Sequence, residues 1–129
     1  MDKLILDTTV LIDLSKGRDN VRATLGAYVD MGRELGVCAV SVAEFMAGVP
    51  RSQRQQWSDW IDDFEYWEIS REAAELAGIL RHDLARQGRT LHVPDALLAA
   101  TAIVTDSTLM TNNVKDFQVP RLRLLHLGP

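Results

Sequence analysis

Four acidic residues stand where an α/β fold could gather carboxylates at one place. Three of them follow short apolar runs that are typical of buried strands, whereas Asp95 lies directly after Pro94, in the first turn of an apolar helix that follows a helix and a loop. Grouped carboxylate oxygens are the ligands that Mg²⁺ and Mn²⁺ prefer, and these ions assist the hydrolysis of phosphate esters. The candidate residues for such chemistry are Asp7, Glu44, Asp95 and Asp116.

Each acid taken alone is better explained as a helix cap. Carboxylates are favoured in the first turn of a helix, where backbone N–H groups lack partners. Ser41 and Glu44 have the spacing of a capping box, in which each side chain would bond the other's backbone N–H. Asn113, three residues before Asp116, is also typical of a cap, and Asp7 could close a local turn.

Two features indicate that the acids act together. Asp7 precedes its predicted helix, where Thr8 or Thr9 could serve as the cap instead. Asp95 lies in the run Leu91–Ile103, which has no other charged residue apart from a histidine and predicts a buried helix. Burying an unpaired carboxylate is costly, and no lysine or arginine is placed to neutralise all four acids. If the acids converge, a divalent cation, Mg²⁺ or Mn²⁺, is the expected partner.

The framework that would position these acids follows from the apolar pattern. Apolar strands that alternate with helices predict an α/β fold in three layers, with a mostly parallel central sheet of four to five strands flanked by helices. Ligands of such folds bind beyond the carboxyl ends of the strands. Strands are predicted at Leu4–Leu6, Val37–Val40, Tyr66–Ile69, Thr108–Met110 and Leu122–Leu125.

Helical spacing of apolar residues, with polar caps and glycine stops, predicts the remaining elements. For the predicted helix Val21–Glu34, we expect Asp19 or Asn20 as the cap and Gly36 as the stop. For the predicted helix Arg71–Gln87, we expect Ser70 as the cap. The predicted helices are Thr9–Ser15, Val21–Glu34, Ser41–Ala47, Ser52–Phe64, Arg71–Gln87 and Asp95–Val104, with one further helical turn at Asn113–Phe117.

Length and composition restrict the class of protein. The 129 residues are 47% hydrophobic, which suits a single domain spanning residues 1–129. The net charge of −4 excludes a generally basic nucleic-acid-binding surface but leaves room for a local basic rim. With only Cys38, no disulfide is expected, and no run is long enough to span a membrane, so we expect a cytoplasmic protein. The three histidines lack zinc-site spacing.

Four sequence blocks together resemble one family. They are Leu-Asp-Thr-Thr-Val-Leu-Ile-Asp at 6–13, Ser-Val-Ala-Glu-Phe-Met-Ala-Gly at 41–48, Pro-Asp-Ala-Leu-Leu-Ala-Ala-Thr-Ala at 94–102 and Thr-Asn-Asn-Val-Lys-Asp-Phe at 111–117. In this order and at these spacings the chain resembles PIN-domain proteins, and more narrowly the VapC-type toxins of type II toxin–antitoxin systems.

The resemblance implies a metal-dependent endoribonuclease, usually a homodimer, that a cognate VapB-like antitoxin inhibits. Asp7, Glu44, Asp95 and Asp116 would match the family's acidic quartet, of which the fourth acid is the least constant. The supporting polar residues of the family would be Thr8, Thr111 and Asn113.

The chemistry implied is attack of a water molecule on an RNA phosphodiester. Asp7, Glu44 and Asp95 would hold the main ion, and Asp116 would hold a second ion or position the water. A basic rim would contact the RNA backbone, with Arg89 the best-placed candidate. Lys115 and several other basic residues are further candidates, although a merely solvated charged surface is the more common role of such residues.

Other features of the sequence have less specific interpretations. Trp57 and Trp60 share a helix face and are interpreted as core, dimer or antitoxin contacts. Asp13 is interpreted as an ordinary polar residue of the first helix, and Asp106 as a turn residue.

Two alternative functions remain open on the residues alone. A haloacid dehalogenase-type phosphatase also begins with a strand that ends in an aspartate, but it needs a second acid two residues later, where this chain has Thr9. A non-catalytic binding module of PIN-like shape would use the four acids only structurally.

Overall fold

The computed structural model describes residues 2–126, which form a five-stranded sheet with helices on both faces. All strands are parallel, in the order β3-β2-β1-β4-β5. The predicted three-layer α/β architecture is therefore confirmed. The strands are β1 Lys3–Leu6, β2 Glu34–Val37, β3 Glu65–Tyr66, β4 Ser107–Thr111 and β5 Leu124–His126.

The sheet has a topological switch point at its centre. The chain runs outward from β1 through β2 to β3, then returns across the sheet to form β4 on the other side of β1. Leu6 of β1 pairs with Met110 of β4, so the two central strands end side by side. Connections leave in opposite directions from these two strands, which opens a crevice at their carboxyl ends.

Helices cover both faces because side chains along each strand alternate between them. Leu4 and Leu6 pack against the first four helices, while Ile5, between them, packs against the last two. Within residues 2–126 the helices are α1 Thr8–Ser15, α2 Asp19–Asp30, α3 Ala39–Ala47, α4 Arg54–Ile61, α5 Arg71–Ala85 and α6 Val93–Val104, with 3₁₀ turns at Arg51–Gln53 and Val114–Phe117.

The second helix ends earlier than predicted, and Gly36 lies inside β2. The helix stops at Asp30, and Gly32, with φ +84°, makes the turn that follows. Gly36 is needed for another reason: a Cβ atom there would stand 2.3 Å from the ring of Trp67. The glycine therefore marks close packing of an aromatic ring on a strand, and the prediction that it ends a helix was wrong.

The predicted N-terminal caps had mixed outcomes. The Ser70 hydroxyl accepts a hydrogen bond from the Ala73 N–H at 3.1 Å, which confirms that cap. Helix α2 has Arg18 as its N-cap residue, with no side-chain cap bond, so neither Asp19 nor Asn20 caps it. Helix α3 begins two residues before Ser41, with Cys38 at the N-cap.

The two tryptophans of α4 belong to the core on the α1–α4 face. Trp57 and Trp60 each contact Phe45, with ring centroids 5.8 and 5.5 Å apart, and Trp60 also contacts Phe64. Both are partly buried, in agreement with the interpretation as core residues. Residues 2–126 contain no helix with the length and apolar character that crossing a membrane requires.

Candidate active site

Asp7 lies between the end of β1 and the start of α1, and it is bonded to β4 as well. Its backbone N–H donates to the Met110 carbonyl at 3.0 Å, which continues the pairing of β1 with β4. Its carbonyl accepts the first hydrogen bonds of α1, from Val10 and Leu11. Asp7 is thus the N-cap of α1, and the alternative in which Thr8 or Thr9 caps the helix was wrong.

The Asp7 carboxylate is buried, with only 6% of the residue exposed, and three donors hold it. Oδ1 accepts from the Thr8 N–H at 2.7 Å, and Oδ2 accepts from the hydroxyls of Thr111 at 2.7 Å and Thr9 at 3.2 Å. Burial raises the pKa of Asp7, the three hydrogen bonds oppose that rise, and the Glu44 charge adds to it. The side chain therefore has a fixed orientation at the switch point.

Glu44 joins the site from α3, but not as a capping residue. It lies in the second turn of the helix, and its Oε1 accepts from the Thr8 hydroxyl at 2.6 Å. Ser41 donates its hydroxyl to the Leu6 carbonyl at 3.0 Å, which fixes α3 against the end of β1. The predicted capping box between Ser41 and Glu44 was wrong, because both side chains bond the β1–α1 segment instead.

Asp95 lies in the first turn of α6, two residues after its start, and is partly buried. Burial raises the pKa of Asp95, and the negative charges of Asp7, Glu44 and Asp116 raise it further, in that order. His92 opposes the rise. The charges of the other three acids thus reach Asp95 and disfavour its ionised form.

Asp116 lies in the 3₁₀ turn after β4 and is exposed. The turn is closed by the Asp116 N–H, which donates to the Asn113 carbonyl at 2.9 Å. The Asn113 side chain makes no cap bond, so that predicted cap was wrong. The buried Thr111 hydroxyl accepts from the Asn113 N–H at 2.9 Å while donating to Asp7. Thr111 thus links the first acid to the loop of the fourth.

Sequence reasoning missed the part that Asp13 plays. Its Oδ2 accepts from the Asn112 amide at 2.9 Å, and its Oδ1 lies 3.0 Å from Nε of Arg18. The bridge fixes the loop after β4 against α1, next to the Thr111–Asp7 bond. Asp13 and Asn112 stand 99 positions apart, so no local pattern could have revealed the contact. The interpretation of Asp13 as an ordinary polar residue of the first helix therefore missed its structural role.

Neutralising partners for the acids are absent from the described part of the chain. None of the ion pairs within residues 2–126 includes any of the four. Arg89 donates to the Gln118 carbonyl, and Lys115 is exposed beside Asp116. Asp106 is a turn residue, as predicted, with φ +55° and Arg123 as its partner at 2.9 Å.

The spacing of the acids matters for metal binding. Across residues 2–126, no three or more carboxylate, histidine or cysteine side chains are arranged so that they could hold a metal ion. The Glu44 charge nevertheless raises the pKa of Asp7, and the charges of Asp7, Glu44 and Asp116 raise the pKa of Asp95. The lack of a metal-holding group and the effect of the acids on one another's pKa agree if the acids lie near one another without converging on a single point. Mg²⁺ suits such an arrangement, because it binds through one or two carboxylates and keeps several waters.

Known proteins with the same arrangement of elements were found by sequence and by structure. The PIN domain family model matches residues 4–121. Ribonuclease VapC19 of Mycobacterium tuberculosis is 27% identical over 113 residues, which cover 88% of this chain and 90% of that protein.

Two solved structures superpose closely on this chain. One is VapBC2 of Rickettsia felis bound to a promoter DNA fragment, with a TM-score of 0.86, 24% identity and coverage of 96% and 98% of the two chains. The other is a toxin–antitoxin complex from Klebsiella pneumoniae, with a TM-score of 0.80, 28% identity and coverage of 97% and 98%. The family model spans nearly the whole sequence, and this chain therefore belongs to the PIN domain family.

Proposed function

We propose that this protein is an endoribonuclease toxin of a type II toxin–antitoxin module. The observation that carries the proposal is the buried, triply hydrogen-bonded Asp7 at the switch point, with three further acids close enough to shift pKa values. Membership of the PIN domain family and the likeness to VapC ribonucleases support the same activity.

We further propose that the reaction depends on Mg²⁺ or Mn²⁺. The donor set fits, since it consists of carboxylate and hydroxyl oxygens, and no ion pair among residues 2–126 includes any of the four acids. Asp7, Glu44 and Asp95 would hold the ion, in part through water. When bound, the ion would neutralise charge on the phosphodiester and lower the pKa of a water molecule.

The protein's own residues would contribute orientation. Thr111, Thr9 and the Thr8 N–H hold the Asp7 carboxylate in one position, so little reorganisation is needed when substrate binds. The Thr8 hydroxyl holds Glu44 in the same way from the next helix. Asp116 is exposed at the outer side of the site, where it can orient the attacking water and accept its proton.

A phosphatase of the haloacid dehalogenase type does not fit this geometry. That chemistry needs an acid two residues after the nucleophilic aspartate, and Thr9 occupies the position. Its hydroxyl donates to Asp7 Oδ2, which leaves no general acid there.

A protein antitoxin and a second copy of this chain are the proposed partners. The structural likeness to a toxin–antitoxin complex from Klebsiella pneumoniae supports the antitoxin. The homodimer is proposed on the PIN-domain resemblance, and a cytoplasmic location is proposed with it.

The direct test is cleavage of a panel of tRNA and rRNA by the purified, antitoxin-free protein. We expect cutting with Mg²⁺ or Mn²⁺ and none with excess EDTA. Equal cleavage with EDTA would refute the metal dependence. No cleavage together with no binding of divalent ions would instead identify a binding module that uses the acids structurally.

A further inference from the structure

A cleft of about 550 Å³ lies at the end of α5, apart from the four acids. Its eight lining residues include no acid, although the protein carries a net charge of −4. Arg81, Arg89 and His82 line it together with the Thr90 hydroxyl. His82 lies 3.3 Å from Asp83, so the two arginines are the cationic groups on which the inference depends.

Both arginines are held in place through single contacts. Arg81 Nε donates to the Leu91 carbonyl at 2.9 Å, and Arg89 Nη2 donates to the Gln118 carbonyl. Both side chains are exposed, and within residues 2–126 neither forms an ion pair with a carboxylate. A guanidinium has five N–H donors, so each arginine keeps donors for a ligand.

Attraction to the end of α5 does not account for these arginines. Cations are favoured at a helix C-terminus, where carbonyl groups lack partners. Here the carbonyls of Leu84 and Ala85 accept from the backbone N–H groups of Arg89 and Gly88, at 2.9 and 3.0 Å. Gly88 makes this turn with φ +75°. The guanidinium groups instead contact carbonyls of other segments, which sets them along the wall of the cleft.

These contacts join the cleft to the two segments that carry Asp95 and Asp116. Gln118, the partner of Arg89, is two residues after Asp116, and Leu91, the partner of Arg81, is four residues before Asp95. Four acids repel a polyanion, so a strand that crosses them needs positive charge immediately next to them. We propose that this cleft binds a backbone phosphate of single-stranded RNA adjacent to the phosphate that is cleaved, an inference that rests on the proposed ribonuclease function.

The test measures binding of a fluorescent single-stranded RNA by anisotropy over a series of salt concentrations. All variants carry Asp7→Asn so that the RNA stays intact. Arg81→Gln and Arg89→Gln should each raise the Kd about tenfold, as expected for a lost charge-assisted hydrogen bond. Each should also reduce the slope of log K against log salt by about 0.7, the value for one phosphate contact on a single strand.

Arg86→Gln is the matched control, because Arg86 is exposed on the same segment but does not line the cleft. It should leave the slope nearly unchanged. An equal effect of Arg86→Gln, or no change in slope with the two cleft variants, would overturn the proposal. Arg81→Lys should restore the slope, since the charge returns.

A second measurement needs no substitution in the cleft. RNA containing 4-thiouridine, photo-crosslinked to the Asp7→Asn protein, should label peptides that include Arg81 or Arg89. Labelling confined to other segments would contradict the proposal that this cleft binds RNA. If the wild-type protein cuts RNA but RNA binding does not depend on either arginine, the proposed phosphate-binding role of the cleft is refuted and the ribonuclease function is not. If RNA binding depends on the arginines but the wild-type protein cleaves no RNA, the ribonuclease function is refuted and the RNA-binding role of the cleft is retained.

Discussion

The acids of the site fall into an inner pair and an outer pair, which the fold treats differently. Asp7 and Asp95 are buried or partly buried, and the pKa of each is raised, first by burial. Glu44 and Asp116 are exposed, and each is presented by a segment outside the two central strands. The inner pair carries the cost of burial, whereas the outer pair is open to solvent, with Glu44 held by a single hydrogen bond from Thr8.

The difference has an energetic consequence. A carboxylate whose pKa is raised by folding destabilises the folded state at neutral pH, because its charge is more favourable in the unfolded chain. The inner acids therefore lower the free energy of unfolding of the protein without metal. Groups that are retained at such a cost are expected at functional sites.

The largest expected effect is loss of cleavage in Asp7→Asn. The substitution removes the one charge that is both buried and held by three donors, so activity should fall on the order of 10³-fold or more. Initial rates on a cleaved RNA measure the loss. Asp106→Asn is the matched control, because it removes the same charge from an exposed turn, and it should retain full activity. Comparable losses in both variants would contradict the special place of Asp7.

Asp95→Asn separates catalysis from stability at the inner pair. Cleavage should fall on the order of 10²-fold or more. The thermal midpoint measured without metal should stay level or rise by a few degrees, because repulsion among the acids is relieved. Glu44→Gln should behave in the same way at the outer pair. A fall of more than about 5 °C, which corresponds to roughly 1–2 kcal/mol, would show that these residues stabilise the fold instead.

Two threonine variants sharpen the contrast between the pairs. Thr111→Val removes a buried hydroxyl bond to the Asp7 carboxylate, which should cost about 1.5–3 kcal/mol of stability and lower cleavage roughly 10- to 100-fold. Thr8→Val removes the exposed bond to Glu44 and should cost about 0.5–1 kcal/mol. Chemical denaturation and initial rates measure both. Equal costs would show that the inner and outer acids are supported alike.

The smallest expected effect is a pH dependence of the stability without metal. The folded-state pKa of Asp95 lies above its ordinary value of 3.8, so the folded protein binds more protons between the two values. Stability due to this group is complete below 3.8 and is lost as pH rises through the raised pKa. Asp95→Asn should therefore gain stability relative to wild type as pH rises through that window, and then level off. A difference that is constant with pH would contradict the assignment.

Local patterns predicted the elements that depend on local physics. The apolar strands predicted a parallel sheet, and Ser70 was identified as a cap because its bond to Ala73 spans only three residues. Predictions failed where a residue distant in sequence determines the conformation or the hydrogen bonds of a side chain. Gly36 lies in a strand, where Trp67 packs over it. Ser41 and Glu44 do not form a capping box, because Ser41 donates to the Leu6 carbonyl and Glu44 accepts from the Thr8 hydroxyl.

The sequence by itself determined which four acids could form a site and why a parallel sheet would present most of them at one edge. Strand ends and helix starts are encoded within a few residues, so hydrophobic period and residue type suffice to find them. Only the tertiary structure decided that Thr111 supports Asp7 and that Asp13 holds the Asn112 loop. Those contacts join segments about a hundred residues apart, and packing of β1 against β4 brings them together.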